Sequence, residues 1–174
     1  MIELNTKKNI KVSVPESLEE DDTPKFSIND DGIREYYIEH GYVVIKNLIN
    51  SITCEEFKDI WDREVKTSKS FIYRQASAKP EKHVFNSNKW VMNPILNLQS
   101  LDPNKFKKLR EKSLELFSDQ KLCKIFKTLF KDKPKIVQSM YFEGNSETWE
   151  HQDTYYLDSN VLGPMAGAWI ALEK

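Results

Sequence analysis

Cysteine, histidine and glycine are all scarce in this chain of 174 residues. Cys54 and Cys123 lie far apart with no CxxC spacing, which excludes a disulfide framework and makes a thiolate metal site a poor interpretation. We expect both to be buried thiols. No apolar run approaches the roughly 20 residues of a membrane span, and the opening residues lack the apolar stretch of a signal peptide. These absences predict a soluble cytoplasmic protein without a membrane partner.

A strong charge of either sign is also absent, since the formal net charge is −1 at pH 7. The distribution is uneven, because residues 101–135 are rich in lysine and residues 1–31 are rich in acids. Arginine is rare, and most of these lysines fall on the polar faces of periodic helices, so we interpret the basic segment as a solvated surface. We expect no nucleic-acid partner, although a lysine-rich helical surface that binds nucleic acid stays open as an alternative.

The composition, 39% hydrophobic and 30% charged, is that of one globular domain. We divide the chain into an N-terminal strand and acidic loop, residues 1–28, and a domain, residues 29–174. Periodicity predicts a strand at 8–14, a loop at 15–29 and a strand at 42–48 in the first half of the chain. A helix is predicted at 30–40, with Asn29, Asp30 or Asp31 as its cap and Gly41 at its end. A second helix is predicted to begin at Thr53, with Glu56 completing a capping box, and to bury Phe57, Ile60, Trp61 and Val65.

The second half is predicted to be irregular at first and then helical. Residues 69–100 show poor periodicity apart from a short strand at 71–73. A helix is predicted to begin at Asp102-Pro103, with Phe106, Leu109, Leu114 and Phe117 on its apolar face. The next helix stops before Pro134, and its apolar face contains Leu122, Ile125, Phe126, Leu129 and Phe130. Strands are predicted at 135–142, 154–157 and 166–172. Helices followed by strands, without βαβ alternation, indicate an α+β fold with helices on one face of an antiparallel sheet.

The segment WEHQDTYYL, residues 149–157, carries the pattern with the most chemical content. His151 and Asp153 are two residues apart, and in extended backbone such side chains project to the same side. An imidazole nitrogen and a carboxylate oxygen can then bind one metal ion. They are two of the three ligands of the facial triad that holds non-haem Fe(II). The spacing alone is a weak signal, because a polar turn shows it as well.

Three further segments contribute to a family resemblance: HGYVVIKNLI at 40–49, QSMYF at 138–142 and AWIALE at 168–173. Together with HQD they resemble the phytanoyl-CoA dioxygenase family of Fe(II)- and 2-oxoglutarate-dependent oxygenases. The resemblance covers about residues 28–174 and is weakest over 69–100. It implies a double-stranded β-helix, a jelly-roll barrel, with helices packed on the outside.

The resemblance also implies roles for single residues. It makes His151 and Asp153 the catalytic iron ligands. The residues that it assigns to the 2-oxoglutarate pocket are Met140, Gln152 and Trp169, with Gln138 on the strand face of Met140 and Lys89 as the pocket lysine. The implied cofactors are Fe(II), 2-oxoglutarate and O₂, with ascorbate as an optional addition. The implied reaction hydroxylates a small-molecule or acyl substrate while 2-oxoglutarate is decarboxylated to succinate and CO₂.

The sequence departs from the family at the end of its site. The family completes the site with a second histidine and an arginine on strands after the WIALE segment. Here the other histidines, His40 and His83, and the last arginine, Arg110, all lie upstream. We therefore expect this chain to be the N-terminal, truncated part of such a domain. The alternative is a non-catalytic jelly-roll fragment or interaction module that lacks the third iron ligand.

Overall fold

The computed structural model describes residues 2–5, 11–14, 22–145, 151, 153, 157 and 165–173. The α-helices in this part of the chain are α1 (Ile33–His40), α2 (Ser51–Ile60), α3 (Lys107–Phe117) and α4 (Gln120–Phe130). A turn of π-helix, Trp61–Val65, continues α2, and a 3-10 helix, Leu98–Ser100, precedes α3. None of the helices described is both long enough and apolar enough to cross a membrane.

Short strands pair two by two. The strands are β1 (Ile2–Asn5), β2 (Lys11–Val14), β3 (Lys25–Phe26), β4 (Val44–Ile45), β5 (Ile72–Tyr73), β6 (Pro80–Glu81), β7 (Ile95–Leu96) and β8 (Met140–Tyr141). The pairs β1–β2, β5–β6 and β7–β8 are antiparallel, and β3–β4 is parallel. In β7–β8 the register places Leu96 opposite Met140. This mixture of helices and small sheets agrees with the α+β class, and the described strands do not close into a barrel.

The predicted start of α1 is wrong. The helix begins at Ile33, its cap is Gly32 with a left-handed φ of 80°, and no side chain caps it. Asp30 instead accepts a hydrogen bond from the backbone N–H of Ser27, 2.7 Å away, so it closes the preceding turn. The predicted end is confirmed, because Gly41 has a φ of 77° and its N–H donates to the carbonyl of Tyr37.

The cap of α2 is one turn earlier than predicted. The side chain of Asn50 accepts a hydrogen bond from the backbone N–H of Thr53 at 2.7 Å, so Asn50 and not Thr53 is the capping residue. The cap of α4 follows the same rule, since Asp119 accepts from the N–H groups of Lys121 and Leu122. In both helices a side chain close in the sequence accepts hydrogen bonds from backbone N–H groups that have no partner within the helix.

The predicted start of α3 at Asp102-Pro103 is also wrong, because the helix begins at Lys107. Asp102 accepts from the N–H of Asn104 at 2.9 Å and so forms a turn ahead of the helix. The carboxylate of Glu64 accepts from the N–H groups of Lys108 and Leu109, at 3.2 and 2.8 Å. The carboxylate of a residue distant in the sequence therefore accepts hydrogen bonds from free backbone N–H groups in the first turn of α3. Its negative charge also complements the positive end of the helix dipole.

Two apolar clusters form the core. The larger joins α2, the π-helical turn, α3, β7 and β8 through Phe57, Trp61, Val65, Ile72, Val91, Ile95, Leu98, Leu101, Phe106, Leu109, Leu116 and Tyr141. The smaller joins α1 to α4 through Ile33, Ile125 and Leu129.

The apolar faces predicted for α2 and α4 are thus confirmed. On α3 the prediction fails for Leu114, which is exposed, while Leu116 is buried. Cys54 is buried as expected, whereas Cys123 is half-buried.

The strands are shorter than predicted. Of residues 42–48 only Val44–Ile45 is strand, and of 135–142 only Met140–Tyr141. The segment 166–172 is irregular, and a short strand, β3, lies within the predicted loop. The predicted strand at 154–157 lies outside the described residues except for Leu157. A strand needs a partner for its backbone hydrogen bonds, so an apolar alternating segment without one stays irregular.

Candidate functional site

The two predicted iron ligands lie side by side. Nε2 of His151 is 3.2 Å from Oδ1 of Asp153, and both residues are exposed. The N–H of Leu157 donates to the carbonyl of Asp153 at 2.8 Å. Asp153 itself is in a 3-10 helical conformation and not in the extended backbone that the spacing predicts.

The separation of this pair fits one bound ion. Two donor atoms at adjacent positions of an octahedral ion, each about 2.1 Å from it, are about 3 Å apart. The distance of 3.2 Å between His151 Nε2 and Asp153 Oδ1 is close to that value. The contact is equally the geometry of a hydrogen bond from the ring N–H to the carboxylate, so a metal would replace that proton. Imidazole and carboxylate are donors that suit Fe(II).

A third protein ligand does not lie near this pair among the described residues, where no group of three His, Cys, Asp or Glu side chains could hold an ion. Both ring nitrogens of His83 are engaged. Nε2 donates to the carbonyl of Val65 at 2.8 Å, and Nδ1 accepts from the guanidinium of Arg74 at 3.0 Å. His40 ends α1 next to Glu39. Of the three ligands that the predicted iron site requires, the described part of the chain brings together two candidates, His151 and Asp153.

Met140 and Trp169, both assigned by resemblance to the 2-oxoglutarate pocket, are both exposed. By strand alternation Met140 and Phe142 share a side of the chain, while Tyr141 between them is buried. Phe142 stacks on Trp169 with the ring centres 5.3 Å apart, and Trp169 is 84% exposed. Phe142 thus joins Trp169 to the segment that carries Met140, and we call Met140, Phe142 and Trp169 together the Met140 face. Gln138 lies just before β8 and is half-buried.

The remaining predicted pocket residues are placed differently. Lys89 is exposed at the tip of a turn, where its N–H donates to the carbonyl of Asn86 at 3.0 Å and its φ is 60°. No contact described here joins Lys89 to Met140 or Trp169. Gln152 lies outside the described residues. The role of both residues stays a prediction.

The strand that carries Met140 is anchored on both sides of Phe142. The ring of Tyr141 stacks on Trp61 with the centres 4.0 Å apart, and burial raises the pKa of the Tyr141 hydroxyl. The carboxylate of Glu143 accepts from the backbone N–H of Val91 at 2.6 Å and pairs with Lys66. These contacts tie the Met140 face to the core, and hence hold it in a defined orientation.

Sequence reasoning missed a buried polar network next to the core. Arg74 is fully buried and donates to the carbonyls of Asn93 at 2.9 Å and Glu81 at 3.3 Å, as well as to His83. Burial lowers the pKa of Arg74, and burial together with the guanidinium lowers that of His83, while the carbonyl of Val65 opposes the shift. Because a guanidinium can only donate hydrogen bonds, Nδ1 of His83 accepts in this contact, which a neutral imidazole ring allows. The signal that could reveal this network is alternation around β5, which puts Arg74 on the buried side with Ile72.

Comparisons of the chain with protein-family models, with curated proteins and with solved structures each find no match. The functional assignment consequently depends on the residues and on the geometry described above.

Proposed function

We propose that the intact protein is a cytoplasmic Fe(II)- and 2-oxoglutarate-dependent dioxygenase of the phytanoyl-CoA dioxygenase family, which hydroxylates a small-molecule or acyl substrate. The observation that carries the proposal is the distance of 3.2 Å between His151 Nε2 and Asp153 Oδ1, which suits adjacent ligands of one ion. The family-like segments on either side of the pair add to it. In the proposal, β7 and β8 belong to a double-stranded β-helix.

Each residue of the site has one task in this proposal. His151 would bind iron through Nε2 after the loss of its proton, and Asp153 would bind through a carboxylate oxygen. Met140 and Trp169 would form a wall of the 2-oxoglutarate pocket, with Gln138, Gln152 and Lys89 as further predicted contacts. The bound iron and 2-oxoglutarate supply the O₂ activation and the hydroxylation, while the protein orients the substrate and excludes water.

A second candidate function is a non-catalytic interaction module. Two observations favour it: the described residues offer only two protein ligands, and the Met140 face leaves an aromatic residue, Trp169, 84% exposed. Large exposed apolar side chains that cluster mark surfaces that bind other proteins. In this function the contact between His151 and Asp153 is a hydrogen-bonded pair with a structural role.

The test is an anaerobic calorimetric titration of the 174-residue chain with Fe(II), followed by an assay of succinate formation from 2-oxoglutarate. We expect weak binding at one site and succinate close to background, because two protein ligands hold iron less firmly than three. Asp153→Ala and His151→Ala should each weaken Fe(II) binding about tenfold or more. Asp132→Ala, which changes an exposed carboxylate away from the site, is the matched control and should bind Fe(II) as the wild type does.

The outcomes separate the two functions. Equal Fe(II) affinity in the wild type and in Asp153→Ala would rule out the proposed iron site. A folded chain that binds no Fe(II) at all would favour the interaction module. Succinate formation that exceeds background and disappears in Asp153→Ala would support the dioxygenase and would show that the expectation of negligible turnover is wrong.

A further inference from the structure

A cleft opens between β5 and the turn that leads into α3. Its volume is about 420 Å³, which lies within the range of about 300–1,000 Å³ for small-molecule pockets. Its apolar walls are formed by Phe71, Tyr73, Leu96, Leu101 and Phe106. None of the residues that line the cleft belongs to the proposed iron site or to the Met140 face.

Two aromatic rings on one wall of the cleft are exposed. Ile72 points into the core, so strand alternation turns its neighbours Phe71 and Tyr73 outward, and they are 66% and 46% exposed. The buried side chains of Leu101 and Phe106 lie beneath them in the same cleft. Aromatic rings pack well against a flat ring system, in stacked or edge-to-face geometry. The walls therefore suit an aromatic ligand better than a polar one.

The charges around the cleft favour an anion. Lys105 lines the cleft, and Nζ of Lys82 stands 5.5 Å from the centre of the Phe71 ring. Asp102 is also in the lining, but its Oδ1 accepts from the N–H of Asn104 at 2.9 Å and its Oδ2 is 3.8 Å from Lys105. The cleft thus has two ammonium groups at or beside its walls against one carboxylate in its lining, and that carboxylate pairs with Lys105. An acidic group at the edge of a bound ring would meet positive potential.

We propose that this cleft is a second binding site and that it takes a planar aromatic anion. The ring system of the ligand packs against Phe71 and Tyr73, and its acidic group lies toward Lys105 and Lys82. The site requires neither iron nor 2-oxoglutarate. It is therefore independent of the dioxygenase function and can be tested without it.

The probe is 8-anilinonaphthalene-1-sulfonate, which combines aromatic rings with one negative charge, titrated into the 174-residue chain with fluorescence as the readout. We expect one saturable site. Phe71→Ala and Tyr73→Ala should each weaken binding about fivefold or more, because an aromatic contact contributes a factor of that order. Tyr42→Ala is the matched control, since Tyr42 is also 46% exposed and lies outside the cleft, and it should leave binding unchanged.

The contribution of charge is tested with Lys105→Gln and with N-phenyl-1-naphthylamine, the same ring system without the sulfonate. We expect this variant to weaken binding of the anion several-fold and to leave binding of the neutral dye unchanged. The side chains changed are exposed, so the variants should fold, which far-ultraviolet circular dichroism checks. The proposal would be overturned if both alanine variants bound the dye with full affinity or if the fluorescence did not saturate. It would also be overturned if Lys105→Gln lost equal affinity for the charged and the neutral dye.

Discussion

The core around α2 and α3 and the Met140 face are built from similar apolar residues but differ completely in burial. In the core, Val65, Ile95 and Leu109 are 0% exposed. Beside β8, Val137 is 69% exposed and Trp169 is 84% exposed. A helix satisfies its own backbone and needs only one neighbour to cover its apolar stripe. A strand needs neighbours both for its hydrogen bonds and for its faces. Similar apolar content therefore gives a closed core in one region and an open surface in the other.

Substitution of one tryptophan in each region, Trp61 and Trp169, tests this comparison with the largest expected effect. Trp61→Ala should lower the free energy of unfolding by about 3–5 kcal/mol, because it removes a fully buried ring that stacks on Tyr141 and leaves a cavity. Trp169→Ala should change it by less than about 0.5 kcal/mol, as expected for an exposed side chain. Urea unfolding followed by circular dichroism measures both. A loss of equal size in the two variants would show that the Met140 face is covered in solution.

A smaller effect is expected from the buried polar network. Arg74→Ala should lower the free energy of unfolding by about 2–3 kcal/mol, since it leaves the partly buried carbonyls of Asn93 and Glu81 without their donor. Arg63→Ala is the control, because Arg63 forms an exposed ion pair with Asp59, and such pairs contribute little. The measurement is the free energy of unfolding of the two variants in urea. If they were equally stable, Arg74 would not be a structural part of the core.

The smallest effect is a dependence on pH through His83. Burial and Arg74 lower its pKa in the folded state, and Glu143 opposes this. Since the pKa in the unfolded chain is about 6.5, the unfolded chain binds the proton first as the pH falls. The stability that neutral His83 contributes is therefore complete above about pH 6.5 and is lost as the pH falls toward the lowered value.

The measurement is urea unfolding of the wild type and of His83→Gln at about pH 7.5 and about pH 5.5, on either side of the unfolded pKa. The difference in unfolding free energy between the two proteins should shrink at the lower pH, because the unfolded wild-type chain binds a proton at His83 that the folded chain excludes, whereas glutamine binds none in either state. A difference that stays constant between the two pH values would contradict a neutral, buried His83.

Helices were predictable and the site was only partly so. The stripe of Leu122, Ile125 and Leu129 on α4 follows from a period of 3.6 residues and from little else. His151 and Asp153 lie within one short motif, but Asp153 is helical and not extended, so the 3.2 Å contact between their side chains does not follow from the strand alternation used to predict it. The start of α3 was not predictable, since its N-terminal N–H groups bond to Glu64, more than forty residues upstream.

The sequence by itself determined the features that depend on neighbours along the chain. These are the apolar faces of α2 and α4 and the end of α1 at Gly41. Only the tertiary structure decided which apolar segments are covered, where Arg74 and His83 meet, and that a cleft opens beside Tyr73. Those features join residues that are far apart in sequence, and their contacts exist only once the backbone between them has folded.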